Sequence, residues 1–378
     1  MAVKLTIGTA VYNVGEQLLR EHIEGVLSQL TDEVELLLIN DASTDNGGEI
    51  CRAYAQSDSR VRYIDMGTNQ GLSAVRNRTV EEAHGKWIFF VDGDDLLADH
   101  AVSAALSFYT SDADIIIHDR KIFESTKEKD PVCTVTELVR LPREAGRALS
   151  LSVLCQNPFD PRKYGMSKEV FYHAAWGALY RKDFITGKGL SFPVGQKKAQ
   201  DSVFNTEAYA CAENIAYLPY TMYYYRRNPM GITKRYSADN VKNIDTILKN
   251  QLACMQKVYP DNEEVKTLYY NNRLIVLTMD RMRLDIFHKD NPKGREERMA
   301  DFEKLLATEP YKTAVETFDL SRDDKRWWML PMEYARRRNF GMLDFCFAHP
   351  KLFHYIGQIK IRLAGRFGRK SAKSGEST

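Results

Sequence analysis

Trp87-Ile88-Phe89-Phe90-Val91-Asp92-Gly93-Asp94-Asp95 sets five large apolar residues in an unbroken row and stops them at three carboxylates. A continuous apolar run this short predicts a strand buried on both faces, as in a parallel sheet. At its carboxyl end the chain leaves the sheet, and open α/β folds bind their ligands there. Gly93 permits the tight turn. Three acids this close repel one another unless a positive charge sits among them. A hard divalent cation that also holds substrate phosphates is the natural partner. A calcium loop of the helix-loop-helix kind is excluded, because Leu96 and Leu97 stand where it needs an oxygen ligand and a glycine. The plain alternative is a solvated acidic turn.

Working outward, the same alternation repeats. Residues 5–11 read as a first strand ending at Tyr12-Asn13, with a helical pattern over 16–30. Residues 34–39 form a second apolar run ending at Asn40-Asp41; a polar turn and a short helix follow. A third strand covers 61–64, and Asn69-Gln70-Gly71-Leu72-Ser73 opens a helix carrying Arg76 and Arg78. Strand-helix alternation predicts right-handed crossovers and a parallel sheet. Tyr12, Asp41 and Asp92 then share one edge. Tyr12 can cover a base, Asp41 can accept from a base or ribose, and Arg76 follows a helix N-terminus that favours phosphate. Together they suggest a nucleoside diphosphate. Singly, each has an ordinary structural reading.

The chain of 378 residues suggests two domains. A net charge of +2 argues against nucleic acid as partner. Six scattered cysteines with no Cys-x-x-Cys pair fit a reducing compartment. The expected location is cytoplasmic, with no signal peptide and no apolar run of bilayer-spanning length. Beyond residue 237 the pattern becomes helical without strands. The division expected is therefore 1–236, 237–350 as a helical domain, and 351–378 as a basic amphipathic helix with a disordered tail. Leu352, Ile356, Ile359, Leu363 and Phe367 fall at helical spacing among arginines and lysines, which suits an anionic membrane surface or, equally, a solvated basic helix. Lys163-Tyr164-Gly165 reads as a lid.

Several segments in order carry a resemblance. Val11-Tyr12-Asn13, Asn40-Asp41-Ala42-Ser43-Thr44-Asp45, Asn69 to Asn77, Phe90 to Asp95, Trp176 to Phe184, Gln200-Asp201-Ser202-Val203-Phe204 and Tyr223-Tyr224-Tyr225-Arg226 resemble the family 2 glycosyltransferases of the GT-A fold, bacterial builders of surface polysaccharides. The resemblance covers about the first 235 residues. It implies an α/β fold with a mostly parallel, Rossmann-like sheet and helices on both faces, plus a helical C-terminal domain.

The resemblance further implies that Ala10, Tyr12, Asp41, Arg76 and Asp92 line the nucleotide-sugar pocket. Asp94, with Asp92, would hold Mn²⁺ or Mg²⁺, and Asp201 would be the catalytic base. Trp176 would stack on the acceptor, with core packing as its alternative. Ala10 stands where proline is usual, Asn40 replaces an aspartate and Gln200 a glutamate. Asp323 to Trp327 lacks the glutamine of the polymerising members, favouring single addition. The expected partners are a nucleoside-diphosphate sugar, UDP by family habit, and a glycan or lipid-linked glycan acceptor; a homo-oligomer is left open. The other readings are a nucleotidyltransferase using the same crevice and a non-catalytic, nucleotide-sugar-binding scaffold subunit.

Overall fold

The computed structural model describes residues 2–124, 130, 132–227, 236–237, 239–318, 327–353 and 355. The quoted stretch is strand β4, Trp87–Asp92. Before it come β1 (Leu5–Val11), α1 (Glu16–Leu27), β2 (Val34–Asn40), α2 (Gly47–Ser57), β3 (Val61–Asp65) and α3 (Leu72–Glu82). After it come β5 (Leu96–Leu97), α4 (Ala101–Ser107), β6 (Ile115–Phe123), β7 (Val139–Arg140), α5 (Arg143–Cys155), β8 (Ala178–Arg181), α6 (Lys182–Gly187), α7 (Gln200–Cys211) and β9 (Ile215–Arg226).

The sheet runs β3-β2-β1-β4-β8-β6-β9-β5, with β7 against β9. Strands β1 to β4 pair in parallel, as the alternation of strand and helix predicts. The sheet is nonetheless mixed, because β8 enters antiparallel between β4 and β6.

Alternation along β4 explains its unbroken apolar run. Trp87, Phe89 and Val91 join the core beneath α1 and α4, with Leu5, Ile7, Leu19 and Val102. Ile88 and Phe90 point the other way, among Ile117, Tyr180, Phe192 and Phe204. Both faces are covered, so both need apolar residues. Helix α3 lies very close to β1: a Cβ placed on Gly8 would fall 2.2 Å from a methyl carbon of Thr79. Only glycine fits that approach.

The chain divides into two compact units, Met1–Met230 with Lys249–Asp261, and Gly231–Leu248 with Asn262–Thr378. The division runs through helix α8, Asn240–Val258. The second unit is helical in its described residues. Its helix over Glu263–Tyr269 continues through two stretches of wider turn, Tyr270–Leu274 and Met282–Ile286. Arg336, Arg337 and Arg338 pair with Glu333 and Glu303. The basic tail and Asp323 to Arg326 lie outside the described residues, residues 351–353 and 355 apart. Among the described residues no helix is long and apolar enough to cross a membrane.

Candidate active site

The carboxyl ends of β1, β2 and β4 form one edge. At the end of β1 the Tyr12 ring is half exposed. Its neighbour Asn13 fixes the turn: the Asn13 side-chain oxygen accepts from the Thr44 amide at 2.8 Å and the Thr44 hydroxyl at 3.2 Å. Ala10 lies half-buried beside β4, with its carbonyl 3.0 Å from where a Cβ on Gly93 would sit. That closeness explains the glycine inside the acidic turn.

Asp41 is buried, and both carboxylate oxygens are engaged. They accept the amides of Gln70 at 2.7 Å and Gly71 at 2.8 Å. Asp41 thus holds the loop that opens α3, a role with a partner 30 residues away that the sequence alone does not display. It keeps further acceptor capacity on the same edge.

Arg76 is the hinge of the arrangement. It is buried, its guanidinium lies over the Phe192 ring at 5.4 Å, and it pairs with two acids. One bond reaches Asp92 at 3.0 Å; the other, shorter, reaches Asp201. Burial opposes the arginine's charge, but Asp201 and Asp92 outweigh it and raise its pKa. Phe192 is itself stacked on Phe204 at 4.0 Å, so the support is rigid. Asp201, in the first turn of α7, is held above the usual carboxylate range by burial, with Arg76 pulling the other way. The structure therefore joins Arg76, Asp92 and Asp201 directly.

The other two acids of the turn differ from one another. Among the described residues no side chain pairs with the Asp94 carboxylate; burial and the charge of Asp92 raise its pKa. Asp95 is fully buried and fully engaged. It accepts the Tyr223 hydroxyl at 2.6 Å and the Arg226 amide at 2.7 Å. Burial, then Asp92 and Asp94, push it up to about 8.

Sequence reasoning missed this supporting layer. The Tyr223 hydroxyl also accepts the Asp92 amide at 3.2 Å, so one phenol ties two of the three acids. Arg226 donates through Nε to the Asp94 carbonyl at 2.9 Å. Beneath them lies His22, wholly buried. Its Nδ1 donates to the Asp95 carbonyl at 2.8 Å, because a carbonyl can only accept, and its Nε2 then accepts from the Thr9 hydroxyl at 2.9 Å. Burial lowers His22 to about 4, so it stays neutral. The only signal available in advance was the aromatic run Tyr223-Tyr224-Tyr225 before an arginine.

Trp176 requires a correction. It is 5% exposed, stacked between Tyr223 at 4.5 Å and Phe171 at 5.1 Å. Core packing, the ordinary role of a large aromatic, holds for this residue. The segment read as a lid forms a short turn, Pro161–Tyr164, with Tyr164 stacked on Phe159. A separate cavity of about 940 Å³ among α5, α7 and α8, lined by Arg143, Arg147 and Lys257, shares no residue with this site.

A parallel half-sheet, an acidic turn at its carboxyl edge and an arginine-linked acid on a following helix define an α/β domain of the GT-A class. The comparisons agree: residues 6–171 match the family described as Glycosyl transferase family 2. A putative glycosyltransferase, EpsH, of Bacillus subtilis (strain 168) is 30% identical over 62% of this chain and 63% of its own length. An uncharacterized glycosyltransferase, YibD, of Escherichia coli (strain K12) is 29% identical over 64% and 66%. The match thus spans under two thirds of each relative. In fold, the chain is similar to S. aureus TarS residues 1–349, crystallised with UDP-GlcNAc, with a TM-score of 0.59, 17% identity and 92% of each chain covered.

Proposed function

We propose that the protein transfers a sugar from a nucleoside-diphosphate donor to an acceptor hydroxyl, with inversion, in assembly of a cell-surface glycan. The observation that carries this reading is the Arg76 bridge between Asp92, on the donor edge, and Asp201. It brings a phosphate-seeking cation and a candidate base to one mouth.

Asp201 takes the proton of the acceptor hydroxyl as that oxygen attacks the anomeric carbon. The bond from that carbon to the diphosphate breaks on the opposite side, and the proton passes later to water. General base action of this kind contributes about 10²–10⁴-fold. Its raised pKa suits a base that must hold a proton briefly. Arg76 offers charge to the departing diphosphate, Tyr12 a ring to the base, and Asp41 its remaining acceptor capacity.

The acids present fit a divalent cation. Asp94 and Asp92 would hold it, while Asp95 is committed to Tyr223 and Arg226. Crowded carboxylates with raised pKa values gain when a cation arrives. Small hard ions take one or two carboxylates and leave the rest to phosphate oxygens. When bound, such an ion supplies Lewis-acid stabilisation of the leaving diphosphate.

A thermal-shift panel of nucleoside-diphosphate sugars with and without Mn²⁺, beginning with UDP-GlcNAc, tests the reading. Metal-dependent stabilisation by one donor, followed by release of nucleoside diphosphate, is expected. Release of pyrophosphate would mean nucleotidyl transfer instead. The absence of any stabilising donor would remove the proposal.

A further inference from the structure

Strands β6 and β9 pair in parallel with Arg120 opposite Tyr223 and Ile122 opposite Tyr225. Residues two apart on a strand share a face, so these four side chains stand together. Ring contacts extend the row. Trp176 stacks on Tyr223 at 4.5 Å and on Tyr225 at 5.6 Å, Phe171 stacks on Trp176, and the Arg120 guanidinium lies 4.4 Å over Phe171. One end of the row is buried: Tyr223 binds Asp92 and Asp95. The other end is open, with Tyr225 39% and Ile122 47% exposed. Tyr225 immediately precedes Arg226, whose amide and Nε bond the acidic turn, so its ring borders that turn.

Arg120 is anomalous. It is half-buried, its Nε is buried without a hydrogen-bond partner, and among the described residues its guanidinium joins no ion pair. Burial lowers its pKa, with Glu169 and Tyr225 acting on it only from a distance. Inside the chain this guanidinium gains the face of the Phe171 ring but leaves its buried Nε–H unsatisfied, which costs stability. An oxyanion from outside would satisfy it through two parallel N–H bonds.

We propose that Tyr225 and Arg120 form the acceptor subsite and select an acceptor glycan or polyol that bears an oxyanion. The C–H face of the acceptor packs on the Tyr225 ring, held flat by Trp176 behind it, while Arg120 takes a phosphate or carboxylate. The assignment of this subsite to the acceptor rests on the sugar-transfer reading above.

The test is saturation-transfer NMR on the full chain with UDP at saturation, so that the donor pocket is filled. The probes are glycerol 3-phosphate, glucuronate, and their neutral counterparts glycerol and glucose. The wild type is expected to prefer at least one anionic probe over its neutral counterpart; which one distinguishes phosphate from carboxylate. Arg120→Gln should weaken that probe about ten- to hundredfold, as loss of a charged hydrogen bond implies. Arg120→Lys should recover part of the loss, and Tyr225→Leu should weaken charged and neutral probes alike. UDP affinity should be the same in all four proteins, which also verifies their folding. Equal binding of charged and neutral probes by the wild type, or unchanged anion binding in Arg120→Gln, would overturn the proposal. Failure of the wild type to bind UDP would instead count against the donor reading.

Discussion

Arg76→Met is the substitution that reaches deepest into the site. Methionine keeps much of the volume against Phe192 and removes the charge. Two carboxylates then lose their counterion, with side chains 28% exposed for Asp92 and 21% for Asp201. Breaking a buried pair costs about 3–5 kcal/mol, and partial access to water places this case near 3 kcal/mol. For a unit of this size the melting temperature should fall by roughly 6–12 °C at pH 7.5. The loss must depend on pH. Burial already raises the pKa of Asp201 and Arg76 draws it down, so the variant's Asp201 rises further. A carboxyl whose folded pKa exceeds its unfolded one takes up a proton on folding. Its penalty is absent below the unfolded pKa and grows as pH rises toward the folded one. The deficit of Arg76→Met should therefore be smaller at pH 5 than at pH 7.5. Adding Asp201→Asn should restore part of it, with a coupling of at least about 1 kcal/mol. Scanning fluorimetry of the single and double variants at both pH values measures this. An equal deficit at both, with no recovery in the double variant, would show that Arg76 is not the counterion of these acids.

Asp201→Asn alone should lower the transfer rate by about 10²–10⁴-fold while UDP affinity stays unchanged; an unaltered rate removes Asp201 as base. Tyr223→Phe deletes the hydroxyl that ties Asp92 to Asp95. Mn²⁺ affinity in the presence of UDP, followed by electron paramagnetic resonance, should weaken by about tenfold or more, and equal affinity would deny the tyrosine a positioning role. Asp95 has a folded pKa of about 8 against an ordinary value of 3.8. Its burial should cost nothing below about pH 4 and progressively more up to about pH 8. Melting temperatures in EDTA should fall across that window, and Asp95→Asn should flatten the fall; parallel curves would contradict the assignment.

Much of the carboxyl edge of the sheet was legible because its signals are local. An apolar run that ends in a polar residue marks a strand and its carboxyl end, and this placed Tyr12, Asp41, Asp92 and Asp94. Asp201 was flagged by the segment Gln200 to Phe204 that carries the resemblance. The roles of these residues were less legible, because they depend on partners distant in sequence. Asp41 anchors Gln70 and Gly71, and Asp95 is satisfied by Tyr223 and Arg226, some 130 residues on. His22 sits in an ordinary amphipathic helix, and nothing near it announces a burial beneath the acidic turn. The reversed direction of β8 was hidden too, since four residues carry no mark of which neighbour they will pair with. Trp176 shows the converse: a tryptophan flagged by its motif turned out to serve the packing behind Tyr225.

The contact between Gly8 and Thr79 reaches beyond the packing of two elements. Thr79 stands one turn along α3 from Arg76, so the space left at Gly8 lets the helix that carries that guanidinium lie close against β1. A single added carbon at Gly8, a position with no chemistry of its own, would collide with the Thr79 side chain and press on the helix that carries the cation. The seating of that helix thus depends on a side chain that is not there.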